Sequence, residues 1–166
     1  GSLNFETDLS QVKDLRFVAS LQGFTKQYFD FDYLSYSIIY GDVGLAGSAG
    51  RFDWSATAAA RTVLVDGDHY LTATGVRGTL GRDLSAQTSA EIAVSYDDLD
   101  YDNIEVNGFQ TFAETGRSGE EISGEVTLRH RYSPRLAVSA SAGLVERSAD
   151  QQAFEYDGWT AGLTKF

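Results

Sequence analysis

The stretch Ala86-Gln87-Thr88-Ser89-Ala90-Glu91-Ile92-Ala93-Val94-Ser95-Tyr96 decides the fold class. Its even positions hold Ala86, Thr88, Ala90, Ile92, Val94 and Tyr96, and its odd positions hold Gln87, Ser89, Glu91, Ala93 and Ser95. A period of two puts these sets on opposite faces of a β-strand, whereas a helical period would mix them. About ten residues is also the length with which a tilted strand crosses the hydrocarbon of a bilayer. The same alternation recurs in Phe52, Trp54, Ala56, Ala58 and Ala60, set against Asp53, Ser55, Thr57, Ala59 and Arg61. It recurs again in Ile122, Gly124, Val126 and Leu128, set against Glu121, Ser123, Glu125, Thr127 and Arg129. Leu136, Val138, Ala140, Ala142 and Leu144 complete the regular set, facing away from Ala137, Ser139, Ser141, Gly143 and Val145.

Four further strands are less regular. Leu15, Phe17, Ala19 and Leu21 alternate cleanly, but Leu34, Tyr36, Ile38 and Tyr40 change phase near Gly41-Asp42 to Val43 and Leu45. Similar changes fall at Gly75 within 71–80 and at Asp157-Gly158 in the last strand. Glycine beside each change suggests β-bulges. The connections differ in kind. Those at 47–50, 83–86 and 132–135 are tight and carry little negative charge, while 29–32, 65–68, 97–120 and 146–157 are longer or more acidic. Short turns at one end and longer loops at the other are the arrangement of a membrane barrel.

Composition supports a β architecture and narrows the chemistry. The 166 residues contain no cysteine, which excludes disulfides, thiolate metal sites and a cysteine nucleophile. Seventeen glycines and 13% aromatic residues stand beside a single proline, Pro134, a balance that argues against disorder. A net charge of −11 disfavours nucleic acid as a partner. No run approaches the roughly 18 apolar residues of a membrane helix. Mean hydropathy is −0.24, which a membrane barrel tolerates because only alternate residues meet lipid.

These features predict an all-β, up-and-down antiparallel transmembrane β-barrel of about eight strands. It is either a complete small barrel or part of a larger one, in a bacterial outer membrane. Residues 15–166 form the barrel domain. Residues 1–14 form a lead-in on the periplasmic side, with Gly1-Ser2 reading as a cloning remnant and the rest as a short extra strand or plug segment.

Several constellations bear on function. Tyr28, Phe29, Tyr33 and Tyr70 lie by the acidic loops, and Phe52, Trp54 and Tyr132 by the short turns. Such placement reads as an interfacial girdle, or alternatively as a loop platform for carbohydrate or peptide. Arg61, Arg77, Glu91, Glu121, Glu125, Arg129 and Arg131 fall on the non-lipid face. In a closed eight-stranded barrel they would form a plug of ion pairs, and in a larger barrel they would line a channel. The acidic run 97–103 offers oxygen ligands without EF-hand spacing and reads as a solvated loop, so no metal or other cofactor is expected. Asp97, Asp98, Asp100 and Tyr101, with Phe109 and Phe112 in the long segment that follows, are the candidates for binding an external partner. His69 and His130 lie far apart in sequence, and no nucleophile–histidine–acid motif accompanies either, so no enzymatic activity is expected.

Residues 23–36, 66–71, 132–136 and 154–159 resemble the barrel region of surface lipoprotein assembly modifiers. That resemblance implies a non-enzymatic outer-membrane barrel that helps lipoproteins to the cell surface, with a lipoprotein or other extracellular protein as partner. It brings no catalytic motif. The chain lacks that family's tetratricopeptide helices, and the family's barrel has more strands than are counted here. The ending Trp159-Thr160-Ala161-Gly162-Leu163-Thr164-Lys165-Phe166 resembles the terminal signal read by the outer-membrane insertion machinery. The competing expectation is a small barrel whose acidic loops bind an external partner, as an adhesin or resistance factor would.

Overall fold

Asp66 and Gly67 both adopt positive φ, at 52° and 90°, between the paired residues Val65 and Asp68. Two central residues with positive φ make the tight hairpin turn whose twist matches the flanking strands, and Asp-Gly is a favoured pair for it. Gly50, at φ 67°, likewise takes the first central position of the two-residue turn between Ala49 and Phe52. Local turn chemistry of this sort repeats a single operation, strand to neighbouring antiparallel strand.

The structure is a computed structural model that describes residues 1–9, 14–27, 35–102, 104–106, 109–112, 116–134 and 136–165, with backbone only at 104–106 and 109–112. The strands are β1 (Ser2–Asp8), β2 (Leu15–Lys26), β3 (Tyr36–Ala49), β4 (Phe52–Val65), β5 (Asp68–Asp83) and β6 (Thr88–Tyr101). They continue with β7 (Ile104–Val106), β8 (Phe109–Phe112), β9 (Gly119–Ser133), β10 (Leu136–Ala149) and β11 (Tyr156–Lys165). One 3-10 turn, Gln152–Phe154, precedes β11. Nine strands form one antiparallel sheet in the order β1-β2-β3-β4-β5-β6-β9-β10-β11, and β7 and β8 make a separate hairpin between β6 and β9. The sheet is not closed, since β1 and β11 are its two edges.

Three expectations change. The strand count is nine where about eight were expected, because Ser2–Asp8 pairs along β2 from Ser2↔Gln22 to Asp8↔Arg16. The phase changes near Gly41, Gly75 and Asp157-Gly158 are not bulges, since pairing runs through all three without a shift. The register shifts of the sheet lie instead at Val63/Leu64 and Leu136/Ala137. The acidic run Asp97–Tyr101 is strand, not loop, while the connection 65–68 is set apart by its acidity and is as tight as the turns opposite.

The phase changes near Gly41 and Gly75 have a different cause. At the acidic end, the face that is polar elsewhere carries a small apolar cluster of Leu71, Ala73 and Leu99, with Val63, Tyr70 and Tyr101 packed on it. Ile38, Tyr36 and Val63 belong to that cluster's face, whereas Val43 and Leu45 belong to the other, as their cross-strand partners show. The apolar pattern crosses from one face to the other while the backbone stays regular.

Pairing defines two faces. The apolar face carries Ala19, Val43, Ala58, Val76, Tyr96 and Ile122 in one cross-strand row, and Trp54, Leu80, Ile92, Val126, Ala142 and Ala161 in another. It is the more exposed face: Leu144, Trp159 and Leu163 are 72%, 77% and 78% exposed, while Leu99 and Ala73 on the polar face are 2% exposed. Along β10 every polar-face residue from Ala137 to Ala149 is partly sheltered, and Ala140 to Ser148 on the other face are exposed. No second layer covers either face among the described residues, so curvature of the sheet accounts for the difference. The polar face is the concave one.

Candidate functional site

The concave face is built from small residues punctuated by charge. One cross-strand row reads Ser20, Asp42, Ala59, Gly75, Asp97, Glu121, Arg147 and Tyr156. Gly75 is required there: a Cβ would lie 2.2 Å from the Tyr96 carbonyl oxygen and 2.4 Å from Asp97 Oδ1. Arg77 sits in the next row between Thr57 and Ser95, and Glu125 in the one after between Ala93 and Gly143. Glu91 lies between Gly81 and Thr127, and Arg129 between Ser89 and Ser139. Hydroxyl pairs fill the space between them, Ser55 with Thr79 at 2.7 Å and Ser95 with Ser123 at 2.8 Å. Ser20 donates to Asp42.

All six expected lumen charges, Arg61, Arg77, Glu91, Glu121, Glu125 and Arg129, therefore share one face. No ion pair joins Arg61, Arg77, Glu91, Glu121 and Glu125 to one another among the described residues. Arg16–Glu6 and His69–Asp102 are ion pairs at other positions. Register separates them, because each of the six occupies its own cross-strand row: Arg77, Glu91, Glu125 and Arg129 are flanked by alanine, glycine, serine or threonine, Arg61 by Tyr40 and Ala73, and Glu121 by Asp97 and Arg147. Arg61, Arg77, Tyr40 and Asp97 instead surround a cavity of about 170 Å³. Arg77, Ser95, Ser123 and Glu125 line another of about 310 Å³.

The loop-binding candidates divide. Asp97 is on the concave face, whereas Asp98 pairs with Thr74 and Glu120, and Asp100 with Thr72, on the apolar one. Tyr101 closes β6 on the concave side, edge-on to the Tyr70 ring at 5.3 Å. The backbone of Phe109 and Phe112 is strand β8, opposite β7. Their side chains lie outside the described residues, as do Tyr28, Phe29, Tyr33 and Phe166. His69 is held by Asp102 and, at 2.8 Å, by Thr72 Oγ1. His130 bonds Thr88 Oγ1 at 2.8 Å and meets the Tyr132 ring at 4.4 Å, at the opposite end of the sheet. Both histidines are committed to local contacts.

One site was not anticipated. At the acidic end, a cavity of about 400 Å³ is lined by Tyr70, Tyr101, Arg117, Arg147, Phe154, Glu155 and Tyr156. Arg117 donates to the Tyr70 hydroxyl at 2.6 Å and lies 5.0 Å above the Phe154 ring. Arg147 lies 5.2 Å from the Tyr101 ring and 6.0 Å from Tyr156, and donates to the Arg117 carbonyl at 2.8 Å. Tyr156 donates to Glu121 at 3.0 Å. The segment is anchored by Gly116, whose φ of 86° and closeness to Gln151 exclude a side chain, and by the Gln151 amide donating to the Gly116 carbonyl. The residues come from β5, β6, β10, β11 and the segments before β9 and β11, so no contiguous motif marks them.

The apolar face has a sloping border. On the row of Ile39, Thr62 and Thr72 it is free of charge until Asp100. One row on, charge enters at Asp98 and Glu120, and one further, at Glu146 and Asp157. The opposite border moves the same way, from Arg82 on β5 to His130 and Lys165 one row beyond.

No family model matches the chain, and no curated protein matches it either.

Proposed function

We propose that this chain is the wall of an outer-membrane β-barrel whose concave face lines a water-filled lumen. It would serve as a non-enzymatic conduit or scaffold in the membrane. The observation that carries the reading is the inversion of the sheet: the apolar face is convex and exposed, the charged face concave and sheltered. A soluble sheet would turn its apolar face inward. Lipid is the solvent that suits the opposite arrangement.

The sloping border adds a second, geometric support. Two to three rows, each about 6.7 Å, over six strand spacings of about 4.8 Å give a slope of roughly 25–35°. Strands of barrels tilt by about 35–45° to the barrel axis, and a flat membrane cutting tilted strands makes such a diagonal. Glu120 and His130 are about 33 Å apart along β9, which at a barrel tilt of about 35–45° stands about 23–27 Å high, the height of an outer-membrane apolar band.

Arg61, Arg77 and Glu91, which make no ion pair among the described residues, favour water over a dry interior, since a buried charge without a partner costs several kcal/mol. A wide lumen agrees with the open sheet. Nine alternating strands leave β1 and β11 running parallel, so an all-antiparallel wall takes either release of β1 or an odd number of further strands. Unpaired edges do not persist in lipid. The role in lipoprotein export implied by the resemblance would use such a wall as the barrel portion of a larger protein. Reconstitution into planar bilayers tests the lumen: discrete, stable conductance steps are expected, and a sealed bilayer with correctly inserted protein would overturn the water-filled reading.

A further inference from the structure

The cavity at the acidic end has the chemistry of a binding site, and we propose that it takes an acidic sugar, a single ring bearing a carboxylate or a phosphate. The inference stands apart from the conduit, because the cavity is walled by the strand ends and the two segments beyond them. Its volume of about 400 Å³ falls in the range of small-molecule sites.

Two guanidiniums converge on it in a chain whose net charge is −11. Guanidinium is a planar fork suited to oxyanions, and stacking against a ring fixes its plane in advance. Arg147 is held this way between Tyr101 and Tyr156, and Arg117 against Phe154. Arg147 makes no ion pair among the described residues, and its Nε is buried with no hydrogen-bond partner. The rest of the lining selects for a sugar. The Tyr70 and Tyr156 hydroxyls and the Glu155 carboxylate offer both donors and acceptors for ring hydroxyls. A purely aromatic acid would leave Glu155 facing a ring edge with nothing to accept.

The test is calorimetric titration of the full chain, folded in detergent micelles, with glucuronate, glucose 6-phosphate, glucose and benzoate. Glucuronate or glucose 6-phosphate should bind, whichever is tighter naming the anion, and glucose should bind at least tenfold more weakly. Raising salt should weaken the acidic ligand and leave glucose unmoved. Arg147→Gln should lower the affinity for the acidic sugar by roughly ten- to a hundredfold, the scale of a charge-assisted hydrogen bond. Arg147→Lys should fall between. Equal binding of glucose, or of benzoate, would overturn the assignment, and so would the absence of binding by either acidic sugar to the folded wild-type chain. The salt and ligand comparisons use wild-type protein, so they hold even if the Arg147 variants do not fold.

Discussion

Val126→Arg separates a lipid-facing sheet from a water-facing one. Val126 lies on the apolar face of β9, between Ile92 on β6 and Ala142 on β10, and is 52% exposed. Glu120 and His130 mark the borders of that face on the same strand, so Val126 sits near the middle of the apolar band. In water, arginine at a half-exposed strand position changes stability by about 0.5 kcal/mol or less. At the midplane of a bilayer the same side chain costs about 2–4 kcal/mol, falling to about 0–1 near the interfaces. Ile122→Arg is the internal comparison, because Ile122 is one row from Glu120 and sits beside Glu146. Thr127→Arg, on the concave face, is the second. Equilibrium unfolding in lipid vesicles, followed by tryptophan emission, should show Val126→Arg destabilised by about 2–4 kcal/mol and the other two by about 1 kcal/mol or less. Equal costs at Val126 and Ile122, or no cost at Val126, would refute a lipid-facing apolar face.

Other perturbations probe the remaining parts. Gly44→Ala would put a Cβ 2.1 Å from the Ala56 carbonyl oxygen, so β3 and β4 would have to part; the yield of folded, membrane-inserted protein should fall sharply. Gly67→Ala meets no neighbouring atom, and its cost is the φ of 90° alone, about 1 kcal/mol by denaturant midpoint. If the lumen conducts, Asp97→Asn with Glu121→Gln should reduce preference for cations, read as a shift of reversal potential toward zero in a salt gradient.

Some of this was legible in the sequence because alternation maps directly onto faces. The runs at 52–61, 86–96, 122–129 and 136–145 correspond to stretches of β4, β6, β9 and β10, and the six charges expected on one face share it as their parity required. Parity misled at Gly41 and Gly75, where a local apolar cluster on the concave face imitates a bulge, and at Asp157, where Tyr156 stands on the concave face opposite Arg147. Charge composition misled at 97–101, where five residues that read as loop are paired on both sides or at the strand end. Ser2–Asp8 was ambiguous because its strand length is short, and its place came from pairing with β2. The arginine–aromatic cavity could not be read at all. Its members come from four strands and two connecting segments, and only the register brings Arg147 opposite Glu121 and Tyr156.

The most direct measurement uses the chain's two tryptophans. Trp54 and Trp159 both lie on the apolar face, on rows that also carry Leu80 and Leu144. Vesicles of brominated lipid should therefore quench most of the native tryptophan emission, and aqueous acrylamide should quench little of it. Strong acrylamide quenching with no effect of the brominated lipid would contradict a sheet whose convex face meets the membrane.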